Sequence, residues 1–216
     1  MTQPPAHPKI YHITHLDNLP KIVEASCLWS DFKRIELGLD CNVVGMNTIK
    51  QRRLEKIGVS CHPGTKVGQY VPFYYCPRSV MLYILHKGNH PEITYTQGQA
   101  PIVHLQVDLT QCRQWADDHG VRWAIAPTNA GAYYTDFYNS AADLSRIDWN
   151  AVSNRDFRDS NVKEKKQAEF LVFESVPWSL VEHVGVFDQN GVTAVRSAMA
   201  ASPHHPPVRA ENSWYF

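Results

Sequence analysis

Three residues that lie far apart in this chain have side chains suited to cleaving a charged sugar derivative. Glu169 stands at the start of an apolar stretch, within the segment KEKKQAEFLV of residues 163–172. A carboxylate at the mouth of a strand is placed to contact a ligand rather than solvent. His12 lies in YHITH and Arg53 lies in IKQRR. A histidine, an arginine and a glutamate together suit the binding and cleavage of NAD.

The chemistry expected of Glu169 follows from the bond that would break. Cleavage of an N-glycosidic bond builds positive charge on the sugar, as glycoside hydrolysis does. A carboxylate that fixes the ribose hydroxyls stabilises that charge as it develops. Gln167 precedes Glu169 by two positions, so in an extended segment both side chains would point the same way and could hold sugar and acceptor together. The alternative is a solvent-facing glutamate on an edge strand, because surface glutamates are common.

A cluster of cations surrounds Arg53. Lys50, Arg52, Arg53 and Lys56 fall within seven residues of a segment that predicts a short basic helix over residues 47–56. A guanidinium there could clamp a pyrophosphate or a nucleic-acid phosphate. The alternative is a solvated basic face of that helix.

Histidine and tyrosine side chains supply further candidates. His12 and Thr14 share a strand face, and His12 could donate to a ribose hydroxyl or to the nicotinamide amide, although a structural histidine is the alternative. Tyr74 belongs to one aromatic cluster, and Tyr133 and Tyr134 belong to another. Core packing explains such clusters by default, but a face exposed to a cleft would stack on nicotinamide or a base.

Hydrophobic patterning predicts the elements that carry these residues. Strands are expected over residues 9–14, 102–109 and 168–175, the last of which carries Glu169. Asp17 is expected to cap the first helix. Less regular segments predict a loop over residues 29–45, a helix over 133–147, an irregular charged stretch over 150–166 and an edge strand over 208–215.

Length and composition limit the class of protein. The chain has 216 residues, 44% of them apolar and 19% charged, which predicts one globular domain spanning residues 1–216. A net charge of zero argues against a protein that binds nucleic acid through its overall positive charge, but it allows a local basic groove. Strands and helices mix without regular βαβ alternation, which predicts an α+β fold. Neither GxGxxG nor GxxxxGK[ST] occurs, so any dinucleotide is bound without a Rossmann or P-loop device.

Cysteine usage and hydropathy predict the compartment. Five cysteines, with no CxxC pair, indicate reduced thiols and a cytoplasmic protein rather than a disulfide framework or a metal site. The first residues lack the apolar core of a signal peptide, and no apolar run of about 18 residues occurs, so no membrane association is expected.

Several motifs occur in a characteristic order: IYHITHLDNL, IKQRR, VPFYYCPRSVMLY, PIVHL and KEKKQAEFLV. In this order the chain resembles the DarT family of bacterial DNA ADP-ribosyltransferase toxins. The resemblance implies the ADP-ribosyltransferase fold, a split mixed β-sheet around an NAD cleft with flanking helices. It also implies transfer of ADP-ribose from NAD to a thymine base in single-stranded DNA, within a short sequence motif.

The same resemblance implies roles for individual residues. Glu169 would be the catalytic glutamate, and Arg53 would contact NAD and act on the base. Because an unperturbed arginine is always protonated, we expect Arg53 to stabilise a thymine anion electrostatically. The residues expected to bind NAD are His12, Ile13, Thr14, Asn18, Leu28, Arg53 and Tyr74. The residues expected to bind the acceptor are Gln167, Arg52, Tyr133 and Tyr134.

The resemblance also implies the binding partners of the protein and the functions of two of its segments. NAD would serve as co-substrate without a metal ion, and the partners would be single-stranded DNA and a macrodomain antitoxin of the DarG type. Residues 128–169 would form the acceptor-recognition loop, and residues 33–53 would close over NAD.

Other functions remain open at this point. The same site could serve a transferase acting on guanine, RNA or protein, or an NAD glycohydrolase. A non-enzymatic module is a further alternative, in which Arg52, Arg53 and the tyrosine clusters grip single strands. That module would bind nucleic acid in a salt-dependent way without consuming NAD.

Overall fold

A computed structural model describes residues 3–216 of the chain. Its strands are β1 (Lys9–His15), β2 (Cys27–Trp29), β3 (Tyr70–Tyr74), β4 (Ile102–Asp108), β5 (Trp123–Ala126), β6 (Glu169–Phe173), β7 (Ser175–Pro177), β8 (Val181–Val186) and β9 (Val208–Ala210). Its α-helices are α1 (Leu19–Glu24), α2 (Asp31–Glu36), α3 (Asn47–Glu55), α4 (Val80–Lys87), α5 (Leu109–Asp118), α6 (Trp149–Ser153), α7 (Ser160–Lys165) and α8 (Gln189–Ala198).

A seven-stranded sheet in the order β5-β6-β3-β1-β4-β8-β9 forms the centre of the fold. Its neighbouring strands are antiparallel except for the parallel pair β8 and β9, so the sheet is mixed. β1 pairs with β4 along its whole length, but it pairs with β3 only through Tyr11 and Tyr74. The sheet therefore splits between β1 and β3. The predicted α+β fold with a split mixed sheet is confirmed.

The burial of β6 explains how a carboxylate comes to lie inside the protein. Phe170 and Val172 face the large core, and Leu171 faces a second apolar cluster on the other side of the sheet. Because both faces of the strand are covered, its first residue, Glu169, is also buried. A charge in such a place requires a partner.

Short helices occupy two segments that the sequence left irregular. The segment 29–45 contains α2, whose first turn is capped by Ser30 Oγ accepting from the Lys33 amide at 3.2 Å. The segment 150–166 contains most of α6 and all of α7, which are capped by the carboxylates of Asp148 and Asp159. The caps compensate for weak apolar periodicity, so both predictions of irregular structure were wrong.

Three other local predictions were also wrong. Residues 133–147 do not form one helix, because the Tyr138 backbone pairs with Ile125 and only Ala141–Arg146 is helical, as a 3₁₀ turn. The edge strand predicted over 208–215 ends at Ala210. Asp17 does not cap α1; it lies inside the 3₁₀ turn Leu16–Asn18, where its amide donates to His15 Nδ1 at 3.1 Å.

Within residues 3–216, no helix combines the length and the apolar character needed to cross a lipid bilayer. Over the same residues, no cluster of three or more His, Cys, Asp or Glu side chains could hold a metal ion. The thiols of Cys27, Cys41, Cys61, Cys76 and Cys112 are all free.

Candidate active site

A deep cleft, called the main cleft below, opens beside the split between β1 and β3. Its walls come from β1, β2, β3, α3 and the segment that follows α2. The residues that the sequence assigned to NAD all line it: His12, Ile13, Thr14, Asn18, Leu28, Arg53 and Tyr74. The structure thus brings together residues that are spread over more than sixty positions of the chain.

Arg53 and Glu169 form a bidentate ion pair at the inner end of this cleft. Arg53 donates from Nη1 to Oε1 at 3.1 Å and from Nη2 to Oε2 at 2.7 Å. The Glu169 side chain is only 2% exposed and that of Arg53 is 15% exposed. Two parallel charge-assisted hydrogen bonds hold both side chains in one orientation. Arg53 lines the cleft, and its guanidinium shields the carboxylate behind it.

The turn after β5 fixes Glu169 from the other side. The Ala130 amide donates to Glu169 Oε1 at 3.0 Å. The neighbouring Asn129 accepts from the Gly131 amide at 2.7 Å and donates to Gln167 Oε1 at 3.1 Å. Asn129 therefore ties this turn to the segment that leads into β6. Asn129 was not predicted as a site residue, because nothing in the sequence around residue 129 reveals a contact with residue 167.

The pKa values in the cleft favour a protonated arginine and a neutral tyrosine. Burial lowers the pKa of Arg53, but the Glu169 carboxylate more than offsets this, so the pKa lies above its ordinary value. Burial, and then the charge of Glu169, raise the pKa of Tyr74, which is the cross-strand partner of Glu169. Arg53 can therefore supply positive charge at neutral pH, but it cannot act as a base there.

His12 is held in one tautomer by the backbone of β3. Its Nδ1–H donates to the Pro72 carbonyl at 2.9 Å, since a carbonyl can only accept. Burial lowers the pKa of His12, so the ring is neutral at pH 7 and its Nε2 is an acceptor. From the sequence, His12 was expected to act as a hydrogen-bond donor. The geometry makes it an acceptor, suited to a ribose hydroxyl.

The outer wall of the cleft includes charged and polar residues, of which Asp31, Asn42 and Lys50 were not assigned to the site from the sequence. Lys50 on α3 pairs with Asp31 on α2 at 3.1 Å, which joins the two helices above the cleft. Asn18 hydrogen-bonds to the backbone of Asn42, in a segment that also lines the cleft. The cap signal at Ser30 could have revealed α2, and with it the position of Asp31.

The residues that the sequence assigned to the acceptor lie outside the main cleft. Tyr133 and Tyr134 are each 71% exposed, and the Arg52 guanidinium lies over the Tyr133 ring at 5.5 Å from its centre. Gln167 is in the turn after α7 rather than in an extended segment, so the expected alternation with Glu169 was wrong. The two residues are connected instead through the turn at Asn129 and Ala130.

A protein-family model described as "ssDNA thymidine ADP-ribosyltransferase, DarT" matches residues 11–216. The chain belongs to the DarT family. A DNA ADP-ribosyl transferase from Thermus aquaticus is 37% identical over 209 residues, which cover 96% of this chain and 88% of that protein. One from Mycobacterium tuberculosis is 32% identical over 197 residues, covering 88% and 81%.

Solved structures of DarT proteins share the fold. Thermus sp. 2.9 DarT in complex with ADP-ribosylated ssDNA matches with a TM-score of 0.89 and 30% identity, covering 100% of this chain and 99% of that one. The same protein in complex with NAD+ matches with a TM-score of 0.80 and 29% identity, covering 99% and 100%. Thermosipho africanus DarTG, at 21% identity and a TM-score of 0.79, matches in fold over 97% of this chain and 51% of its own.

Because the chain belongs to the DarT family, its predicted activity and acceptor class can be compared with those of the family. The chain is an NAD-dependent DNA ADP-ribosyltransferase, with NAD as co-substrate. The alternative of a non-enzymatic binding module was therefore wrong. DNA, rather than RNA or protein, is the acceptor class of this DarT enzyme.

Proposed function

We propose that this DarT enzyme transfers ADP-ribose to a thymine base of single-stranded DNA within a short sequence motif, as the toxin of a toxin–antitoxin system. The observation that carries the proposal is the buried Arg53–Glu169 pair at the inner end of the main cleft. One partner can stabilise positive charge on a sugar, and the other can stabilise negative charge on a base. The description of the matching family model, which names thymidine in ssDNA, supports the choice of base.

Glu169 is proposed to act on the sugar. The bond between the nicotinamide-bearing ribose carbon and nicotinamide breaks, and nicotinamide leaves as a neutral molecule. A carboxylate facing the ribose stabilises the oxocarbenium character that develops at that carbon. Because Arg53 covers Glu169 in this structure, contact with the ribose requires the guanidinium to turn toward the cleft. The Ala130 amide keeps the carboxylate in place during that movement.

Arg53 is proposed to act on the base. The ribose carbon forms its new bond to a ring nitrogen of thymine, and the proton of that nitrogen passes to water. The raised pKa of Arg53 keeps the guanidinium charged, so it stabilises the thymine anion as the proton leaves. Single-stranded DNA suits this step because the target base need not be unstacked from a duplex.

The remaining site residues are proposed to position the two substrates. His12, Ile13, Thr14, Asn18, Leu28 and Tyr74 would hold NAD along the main cleft. Arg52, Tyr133, Tyr134 and Gln167 would hold the strand at its mouth. Exposed tyrosines suit base stacking, which tolerates any base because each presents a flat ring.

The proposed cellular setting follows from the chemistry. An enzyme that modifies DNA with NAD needs a compartment containing both, which suits the cytoplasm. A macrodomain antitoxin of the DarG type is the proposed partner, and the Thermosipho africanus structure that shares this fold is named DarTG.

The proposal is tested by mass spectrometry of short oligonucleotides after incubation with the enzyme and NAD. One pool contains thymine but no guanine, and the other contains guanine but no thymine. We expect a gain of one ADP-ribose in the thymine pool, lowered on the order of 10²–10⁴-fold by Glu169→Ala. Glu164→Ala, which removes an exposed carboxylate from α7, is the matched control. Modification of the guanine pool alone would overturn the choice of base.

A further inference from the structure

A second cavity, lined by residues that adjoin those of the active site along the chain, has no role in the function described so far. It encloses about 640 Å³, within the range of about 300–1,000 Å³ that ligand pockets occupy. The N-terminal segment before β1, the turn after β3, the α6 region and the C-terminal residues form its walls. We call it the second cavity.

The walls of the second cavity carry positive charge and no carboxylate among the residues that the structure describes. Arg78, Arg155 and Lys166 line it, and over residues 3–216 none of the three has an ion-pair partner. Burial, and then the nearby charge of Arg155, lower the pKa of Arg78. Cations held close together without a counter-charge favour an anionic ligand.

Lys166 is the most unusual of these cations, because it is only 2% exposed. It donates to the Val152 carbonyl at 2.6 Å and to Cys76 Sγ at 3.4 Å. An ammonium group has three donors, so one is left for a ligand. A buried charge without an opposite charge is costly, and an anion bound in the cavity would offset that cost.

Two residues that line this cavity also carry unsatisfied polar atoms. Of the five buried side-chain nitrogen or oxygen atoms without a hydrogen-bond partner in the described part of the chain, Tyr75 Oη and Arg78 Nε belong to residues lining this cavity. Tyr75 is 5% exposed. Buried hydroxyl groups in folded proteins are nearly always paired, so the unpaired Tyr75 hydroxyl is available to a ligand that enters the cavity.

Flat rings and side-chain amides complete the lining. Tyr11, Tyr75, Trp149, Phe157 and Trp214 contribute rings, and Asn150 and Asn154 contribute amides. The Tyr75 and Trp149 rings meet edge to face with their centres 5.3 Å apart. This combination matches a nucleotide. Cations bind its phosphate, aromatic rings stack on the faces of its base, and amides hydrogen-bond to the edges of the base.

The second cavity is connected to the active site through the backbone. Tyr75 follows Tyr74, which lines the main cleft, and Lys166 precedes Glu169 by three residues. Tyr11, the residue of β1 that pairs with Tyr74, also lines the second cavity. Each of the two cavities is therefore lined by residues of β1 together with residues of β3 or the turn that follows it.

We propose that the second cavity binds a nucleotide of the acceptor DNA strand that neighbours the target base. Arg78, Arg155 and Lys166 would hold its phosphate, and Tyr75 would hydrogen-bond to its base or sugar. This inference rests on the proposed function, since it requires a DNA strand to pass the active site. It gives the enzyme a second contact through which it could choose the sequence around its target.

The test measures binding of a fluorescent single-stranded oligonucleotide, without NAD, at several salt concentrations. We expect Arg155→Ala to weaken binding about tenfold, which is the scale of losing one charge-assisted contact. The slope of log affinity against log salt concentration should fall by about 0.7, the value for one phosphate contact on a single strand. Arg196→Ala on α8 is the matched control, because Arg196 is an exposed arginine that lies outside this cavity.

Tyr75→Phe separates a binding role from a structural one. Removing an unpaired buried hydroxyl should leave the melting temperature unchanged or raise it, while oligonucleotide affinity falls several-fold. NAD binding should be unchanged in every variant. Oligonucleotide affinities equal to those of the unmodified enzyme in both Arg155→Ala and Tyr75→Phe would overturn the proposal.

Two controls identify the source of any failure. If the unmodified enzyme leaves the oligonucleotide unmodified in the presence of NAD, the proposed function fails, independently of the cavity. The nucleotide dTMP is titrated into the same variants. If Arg155→Ala weakens the binding of dTMP but leaves oligonucleotide binding unchanged, the cavity binds a free nucleotide. That result would overturn the proposal that it binds the DNA strand.

Discussion

Asn18 and Asn42 hold each other through a reciprocal pair of hydrogen bonds. Asn18 Oδ1 accepts from the Asn42 amide at 2.6 Å, and Asn18 Nδ2 donates to the Asn42 carbonyl at 2.9 Å. The second amide hydrogen of Asn18 goes to Thr14 Oγ1 at 3.1 Å. One side chain thus ties β1 to the segment between α2 and α3, and both of these line the main cleft.

Asn18→Ala is therefore expected to weaken NAD binding through a loosened cleft wall. Loss of the paired bonds, at about 0.5–1.5 kcal/mol each, should raise KM for NAD about tenfold, with a smaller change in kcat. Steady-state kinetics with varied NAD measures this, and Asn161→Ala on the exposed side of α7 is the control. An unchanged KM would show that this segment holds its position without Asn18.

The Arg53–Glu169 pair should be needed for stability as well as for activity. Arg53→Leu leaves a buried carboxylate without its counter-charge, which costs on the order of 3–5 kcal/mol. The double variant Arg53→Leu with Glu169→Leu should recover most of that loss, because neither charge remains. Neither protein should transfer ADP-ribose. Denaturant unfolding monitors stability, and a double variant less stable than Arg53→Leu would contradict this account.

His104 should make the protein less stable in acid. The ring is fully buried, its Nε2–H donates to the Pro77 carbonyl at 3.0 Å, and burial lowers its pKa to about 4. Below about pH 6.5 the unfolded chain takes up a proton that folded His104 does not, so stability falls as the pH drops toward 4. The loss should be on the order of 3 kcal/mol.

Unfolding measured between pH 7 and pH 4.5 tests this expectation. His104→Gln should show a shallower fall in stability with acid, even if it is less stable at pH 7. His205→Gln changes an exposed histidine and should follow the unmodified protein. Equal slopes for the unmodified protein and His104→Gln would show that other groups govern the acid transition.

Tyr133 is expected to stack on the acceptor strand. Tyr133→Ala should lower oligonucleotide affinity about tenfold, within the about 1–3 kcal/mol attributed to a base stacked on an aromatic ring. Tyr133→Phe keeps the ring and should bind normally, and NAD affinity should be the same in both variants. A fall in affinity in Tyr133→Phe as large as that in Tyr133→Ala would point to the hydroxyl group rather than to stacking.

The sequence predicted the parts of the site that depend on local pattern. Glu169 precedes an uninterrupted apolar run, and Arg53 lies in a dense basic segment whose helical form is confirmed as α3. The family resemblance then assigned seven residues, including His12, to NAD, and all seven line the main cleft. Both kinds of signal lie in short segments of the chain, so a single sequence is enough to reveal them.

Contacts between distant segments could not be predicted in the same way. The apolar residues of 133–147 fall roughly in helical phase, but the backbone of Tyr138 bonds to Ile125 instead. The cap at Ser30 was readable, yet weak periodicity concealed the helix that it begins. The second cavity gathers residues from both ends of the chain and from its middle, so no local pattern reveals it.

The adjacent residues Tyr74 and Tyr75 serve different cavities, and this limits how the chain can change during evolution. Successive residues of extended backbone face opposite ways, so inserting or deleting one residue in β3 would exchange them. Both cavities would then lose a wall at once, whereas single substitutions would damage one of them at most. We expect DarT relatives to keep the length of this stretch constant, even where the identities of its other residues differ.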